Sequence, residues 1–318
     1  MQGVYRMDWL SRRVVLLAGG VGGAKLAVGL AQHLSPENYT IIGNTGDDFI
    51  HLGLTICPDL DTLLYTLAGV ANPQTGWGLQ DETWRAMAAL KQIGGPDWFN
   101  LGDRDLATHL ARTHWLGQGR TLTEVIADLA RGLGVAARLL PMSDAPAPTV
   151  VETDQGILPF QEWFVRERWQ PRVQRVILPD SARATRAVVQ ALEAADVVII
   201  APSNPFVSID PILNAYPIRP ILSDIPEHVI AVSPIIAGQA VKGPTAKMMQ
   251  EWGMAVSARG VVEYYGDIIN AFVYDSRDPE TLAGLPTLRT DTLMHTAADR
   301  FRLAGEILAF AADLMAEV

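Results

Sequence analysis

Two kinds of hydrophobic pattern alternate along the chain. Short apolar runs bounded by glycine, proline or polar clusters read as buried strands. Segments with apolar residues three or four apart read as helices. The run Val14-Val15-Leu16-Leu17-Ala18 predicts a strand over 13–18. A glycine cluster follows, and Leu26, Leu30 and Leu34 then predict a helix over 23–33. Ser35-Pro36-Glu37-Asn38 makes a turn, and 39–43 reads as a second short strand. This β-α-β spacing favours a parallel, doubly wound sheet.

A short helix is expected over 62–68. The pattern then changes over 72–142, which is rich in glycine and tryptophan (Trp77, Trp84, Trp98, Trp115). Helical periodicity near 81–93, 104–114 and 121–132 reads there as a helical insertion or cap. Residues 138–140, 149–153 and 158–165 read as strands, with a hairpin turn at Asp154-Gln155-Gly156. Parallel α/β alternation is expected to resume at 173–178, with a helix over 181–194 and an apolar strand over 196–201. Strands over 229–233 and 271–274, a helix over 244–252 and a closing amphipathic helix over 292–314 complete the pattern. The expected organisation is a tail over 1–12 and one α/β domain over 13–318. That domain is Rossmann-like and doubly wound, its sheet mostly parallel, with the insertion at about 72–142.

The 318 residues suffice for a large core, and 49% apolar with 19% charged residues is an ordinary globular balance. A net charge of −10 argues against a broad nucleic-acid surface. The single Cys57 excludes an intramolecular disulfide and fits a reducing compartment, so a cytoplasmic location is expected. No signal peptide and no membrane span are expected, because no apolar run is long enough.

The glycine cluster lies where a strand gives way to a helix. Gly19, Gly20, Gly22 and Gly23 would let the backbone approach a ligand, and the helix start offers N–H groups to an anion. Lys25 adds a charge nearby. The match to known fingerprints is partial. Leu26 stands where a P-loop has Ser or Thr, and Lys25 where the dinucleotide pattern has its third glycine. The turn suits a phosphorylated ligand, or it is only a tight connection.

Asp47, Asp48, Asp59 and Asp61 form two acidic pairs expected in loops after apolar stretches. Beside a phosphate turn they could hold Mg²⁺ with substrate phosphates. As plain structure, Asp47 and Asp48 would be turn residues and Asp59 a helix cap. In Leu101-Gly102-Asp103-Arg104-Asp105-Leu106-Ala107-Thr108-His109, Asp105 and His109 are helix-face neighbours, for capping and ion pairing or for ligand contact. Pro141-Met142-Ser143-Asp144 and Ala201-Pro202-Ser203-Asn204-Pro205 display polar side chains after strands. Lys242, after Ser233-Pro234-Ile235-Ile236-Ala237-Gly238, suits a phosphate or carboxylate. No nucleophile elbow is present, and Cys57 has no evident histidine partner.

With these residues assembled, the chain resembles the 2-phospho-L-lactate transferase family, whose bacterial members are also called phosphoenolpyruvate transferases. The resemblance covers about 14–310. It rests on nine ordered motifs: those at 19–25, 44–48 (Asn-Thr-Gly-Asp-Asp), 57–62 (Cys-Pro-Asp-Leu-Asp-Thr), 76–78 (Gly-Trp-Gly), 101–109, 141–144, 160–165 (Phe-Gln-Glu-Trp-Phe-Val), 201–205 and 233–238. It implies transfer of a small phospho-acid group from a guanosine diphosphate ester to the ribityl hydroxyl of the deazaflavin Fo. GMP is released and Mg²⁺ is required, in the making of coenzyme F-420. It implies Asp47 and Asp61 for metal and Fo-hydroxyl contacts, Asp48 and Asp59 as further metal candidates, and Arg104 near Fo or phosphate. Gly19, Gly20, Gly22, Gly23, Lys25, Asn44, Ser203 and Asn204 would hold the guanosine diphosphate part. The deazaflavin is expected between the sheet and the insertion, against tryptophans. A homodimer is the expected assembly. The competing readings are a nucleotide- or sugar-binding regulator of the same fold and, more weakly, an NAD-dependent dehydrogenase. The last lacks an acidic residue after strand two, at Gly43-Asn44.

Overall fold

The computed structural model describes residues 9–224 and 229–316. Residues 1–8 of the expected tail lie outside the described residues. The chain opens with β1 (Val14–Ala18), α1 (Gly20–Ala31) and β2 (Tyr39–Gly43). A hairpin follows, β3 (Phe49–His51) and β4 (Leu54–Ile56), and then α2 (Pro58–Leu67). Next come α3 (Arg85–Gln92), α4 (Asp105–Gly117), α5 (Leu122–Gly132) and β5 (Arg138–Pro141). A meander of β6 (Val150–Thr153), β7 (Gly156–Pro159) and β8 (Val173–Ile177) leads to α6 (Arg186–Glu193) and β9 (Val197–Ile200). The two helices α7 (Asp210–Asn214) and α8 (Ile218–Asp224) precede β10 (Val229–Val232) and the small hairpin β11 (Ile235–Ile236) and β12 (Gln239–Ala240). The chain ends with α9 (Thr245–Glu251), α10 (Ala258–Tyr265), β13 (Ala271–Asp275), β14 (Thr287–Thr290) and α11 (Ala297–Ala316).

The main sheet has seven strands in the order β14-β13-β10-β9-β1-β2-β5, and every pairing is parallel. Both faces are covered, which is why its central strands are continuous apolar runs. Alternate residues serve opposite cores. Val14, Leu16, Val197 and Ile199 pack with α1, α2, α5 and α11, whereas Val15, Leu17, Val198 and Ile200 pack with residues from α6 to α10. Strand order runs one way from β1 to β2 and β5, and the other way from β9 to β14. The topological switch point therefore falls between β1 and β9, where open α/β sheets bind ligands outside the strand ends.

Three expectations are corrected. Residues 173–178 do not resume the parallel sheet: β8 pairs antiparallel with β6 in a separate three-stranded sheet. Its Gln174 and Arg175 are exposed, which a strand covered on both faces could not accommodate. The strand expected over 158–165 ends at Pro159, and Glu162–Arg166 is a π-helical turn. The helix expected over 62–68 begins earlier, with Pro58 in its first turn. That extra turn moves Asp59 and Asp61 out of a loop and onto the helix start. Within the range 72–142, β5 joins the main sheet and α5 packs into its core, while α3 and α4 pack with the preceding β3–β4 hairpin in a separate small cluster.

Helix α1 crosses α11 at Gly29, where a Cβ would overlap the Arg300 carbonyl. Gly29→Ala is therefore expected to cost about 1–3 kcal/mol by overpacking, although alanine is the better helix former. Urea denaturation checks this; a gain in stability would show that the two helices separate without cost.

Candidate active site

A cavity of about 540 Å³ lies at the switch point, over the carboxyl ends of β1, β2, β9 and β10. Its floor is the glycine turn. Gly20 opens α1 with φ +62, a backbone that an L side chain resists. A Cβ at Gly22 would sit 2.5 Å from the Pro202 carbonyl oxygen, so the loop after β9 packs directly onto the turn. Ser203 clasps it: its hydroxyl accepts from Gly19 N at 3.2 Å and donates to Gly19 O at 2.7 Å. From the other side Asp59 accepts the Gly20 N–H at 2.7 Å and the Asn44 amide at 2.9 Å. The turn, the end of β2 and the start of α2 are thereby fixed to one carboxylate.

Asp47, Asp59, Asp61 and Asp105 line the cavity. Asp47 is buried; Oδ2 accepts from Gln161 Nε2 at 3.2 Å, and Oδ1 has no partner. Burial, then the charges of Asp59 and Asp48, push its pKa well up. Asp59 is pushed up to about 6 by burial, against the hydrogen bonds from Asn44 and Gly20. Asp48 is also pushed well up by burial, against a hydrogen bond from Cys57 and the charge of Arg112. It does not line the cavity.

Arg112 answers this charge, and no motif singled it out. It is fully buried in α4; Nη1 donates to Asp61 Oδ2 at 3.1 Å and Nη2 to Asp61 Oδ1. Nη1 also lies 3.3 Å from His109 Nδ1. His109 Nε2 lies 3.3 Å from Asp105 Oδ2. Tyr65 donates to Asp105 Oδ1 at 2.6 Å. Burial raises the Asp105 pKa, but the hydrogen bond and charge of His109, the hydrogen bond from Tyr65 and the Arg112 charge leave it lowered overall. The signal for Arg112 was its place on the helix face already carrying Asp105 and His109, three residues beyond His109.

The other expected residues are dispersed. Lys25 lines the cavity and donates to the Met294 carbonyl at 2.7 Å. Gly23 and Asn44 are buried beneath it. Asn204 lines it and caps Phe206 N at 2.9 Å. Arg104 is exposed, outside the lining, and donates to the Gln80 carbonyl at 2.7 Å. Asp103 accepts from Arg85 N and Ala86 N, capping α3. Of the insertion's tryptophans Trp77 lines the cavity. Trp84, Trp98 and Trp115 do not, while Trp169 joins Phe160, Phe164 and Val165 in an apolar wall.

The donor set suits a hard cation. Four carboxylates line the cavity, and Asp47 Oδ1 is buried without a partner. Asp61, Asp105 and His109 offer one atom each within 4.8 Å of one another. Both Asp59 oxygens are engaged by Gly20 and Asn44, and both Asp61 oxygens by Arg112, which a cation at Asp61 would have to share. Removing Arg112 would leave Asp61 buried without its counter-charge. Arg112→Met is expected to cost about 3–5 kcal/mol at pH 7, with much of the loss recovered in Arg112→Met/Asp61→Leu. Denaturation of both variants checks this; a loss below about 1 kcal/mol in the single variant would mean the pair is not buried.

Comparison with known proteins places this geometry. Residues 14–302 match the family described as 2-phospho-L-lactate transferase CofD. The chain is 39% identical over 297 residues to a 2-phospho-L-lactate transferase of Methanospirillum hungatei, covering 93% of this chain and 99% of that one. It is 41% identical over 282 residues to a phosphoenolpyruvate transferase of Kitasatospora aureofaciens, covering 86% and 88%. Among solved structures, a UPF0052-family protein of Bacillus halodurans superposes with a TM-score of 0.62 over 93% of this chain and 98% of that one, at 16% identity, which speaks to the fold alone. The parallel sheet, the glycine turn at its switch point and the match over nearly the whole length lead to one conclusion: the chain belongs to the 2-phospho-L-lactate transferase CofD family.

Proposed function

We propose that this transferase moves a small phospho-acid group from a guanosine diphosphate ester to the ribityl hydroxyl of Fo, in the making of coenzyme F-420. The hydroxyl oxygen forms a bond to the phosphorus next to the small acid, the phosphoanhydride bond breaks, and GMP leaves. The hydroxyl proton is lost in the same exchange. One observation carries the reading: a single cavity joins a glycine turn and two lysines to a set of buried carboxylates. Phosphoryl transfer needs little more than positioning and charge neutralisation.

Each part of the chain has a task in this reading. The turn at Gly19–Gly22 and Lys25 hold the diphosphate, as far as free N–H groups and one ammonium allow. Asp59 and Ser203 keep the turn in shape rather than touching substrate. The wall of Phe160, Phe164 and Trp169, facing Trp77, suits a planar ring. Asp47 and Asp61 would hold Mg²⁺, with Arg112 fixing the angle of the Asp61 carboxylate. Bound there, Mg²⁺ would neutralise charge on the transferring phosphate. The relatives' names point to two small acids, lactyl and enolpyruvyl, which the pocket would separate by only about 1–3 kcal/mol unless it hydrogen-bonds them.

The test is GMP release from Fo with the lactyl, enolpyruvyl and glyceryl donors. GMP should form with at least one donor, stop under chelation and fall at least about 100-fold in Asp47→Asn. The Asn variant should melt no lower than the unaltered protein, since it removes a buried charge. Fo binding without GMP from any donor would leave a binding protein in place of a transferase, and near-normal turnover in Asp47→Asn would remove that residue from the reaction.

A further inference from the structure

The cationic end of the cavity is made by two loops that meet over the glycine turn. One carries Thr75, Trp77 and Gly78, the other Val241 to Thr245, and both line the cavity. Lys242 Nζ donates to the Thr75 carbonyl at 2.9 Å and joins them. A Cβ on Gly76 would meet the Val21 side chain at 2.7 Å and Lys242 Nζ at 3.5 Å. The joined loops therefore rest on Val21, in the middle of the glycine turn. Lys25 stands nearby, its pKa lowered by burial and then by the charges of Arg300 and Lys242. Lys25 and Lys242 are the lysines and arginines that line the cavity among the described residues, and both lie at the turn.

Two further features suit a ligand at this end. Trp77 and Val241 line the cavity, yet each is 56% exposed. Placed so at the cavity rim, both apolar side chains are free to close over a ligand. Lys242 is itself exposed and spends one of its three donors on Thr75, leaving two. A diphosphate seated on the glycine turn would come within reach of those donors. Gly76 and Gly78 in one loop, and Gly243 in the middle of the other, have positive φ, which gives both loops places to bend.

We propose that Lys242 binds the diphosphate of the nucleotide donor and, by holding the Thr75 carbonyl at the same time, couples that binding to closure of the Thr75–Gly78 loop over the ligand. This rests on the proposed guanosine diphosphate donor. It adds a cation contact and a moving part that neither the glycine turn nor the carboxylates supply. Lys242 is on the surface, so replacing it leaves the core intact.

GDP is the probe. Its affinity for the unaltered protein, Lys242→Met and Lys242→Arg is measured by calorimetry, and hydrogen exchange is followed at the amides of residues 74–78 with and without GDP. Lys242→Met is expected to bind GDP about 10–100-fold more weakly, the loss of one charge-assisted hydrogen bond, and to lose the protection that GDP gives those amides. Lys242→Arg keeps both. Unchanged GDP affinity in Lys242→Met overturns the assignment, and weakened affinity with full protection of 74–78 overturns the coupling. No GDP binding by the unaltered protein overturns the nucleotide-donor reading itself, and this inference with it.

Discussion

The buried carboxylate of Asp59 is the constraint on which the site depends. Three segments end at the switch point: the turn after β1, the loop after β2 and the first turn of α2. Asp59 bonds the first through Gly20 N–H and the second through the Asn44 amide, and it belongs to the third. Ser203 closes the ring from the loop after β9. A charged group in such a place is costly, and its pKa rises to about 6. The cost is accepted where the backbone must be held in a shape that the apolar core cannot impose, since Gly20 at φ +62 has no packing side chain of its own.

The cavity carries both signs of charge. Asp47, Asp61 and Asp105 line it, and the Arg112 guanidinium meets one of them. Lys25 and Lys242 stand at the glycine turn. In the proposed reaction the lysines at the turn would draw the diphosphate and the carboxylates would face the hydroxyl partner. The overall charge of −10 is no obstacle to that reading, because the local field at the turn would act on the phosphates.

Much of the scaffold was legible because parallel strands covered on both faces have little choice of residue. Val14–Ala18, Tyr39–Gly43 and Val197–Ile200 are buried at every position, and their apolar runs are unambiguous. β8 was misplaced because Val173, Val176 and Ile177 suffice for a strand without saying which sheet it joins; exposed Gln174 and Arg175 carried that information. α2 was read too short because Pro58 looks like a loop residue until it is seen as a helix's first residue. The carboxylates and the glycine turn stood out as local clusters, and the structure brings both to one cavity. Arg112 did not, because its partner Asp61 is 51 positions away and only the folded chain places it there. Arg104 drew attention by its motif, yet its side chain points to the Gln80 carbonyl.

We propose that the fold holds buried carboxylates together at a cost that a divalent cation would relieve. Burial raises the pKa of Asp47, Asp48 and Asp59 above ordinary carboxylate values. Raised groups favour the folded state fully only below their unfolded pKa, near 4. That contribution is lost as pH climbs through the folded values, about 6 for Asp59. A cation bound to the charged forms would restore it. The direct measurement is thermal unfolding at pH 5 and pH 8 with and without Mg²⁺. The account predicts a rise in melting temperature on adding Mg²⁺ that is clearly larger at pH 8. No rise at pH 8, or an equal rise at both, would contradict it.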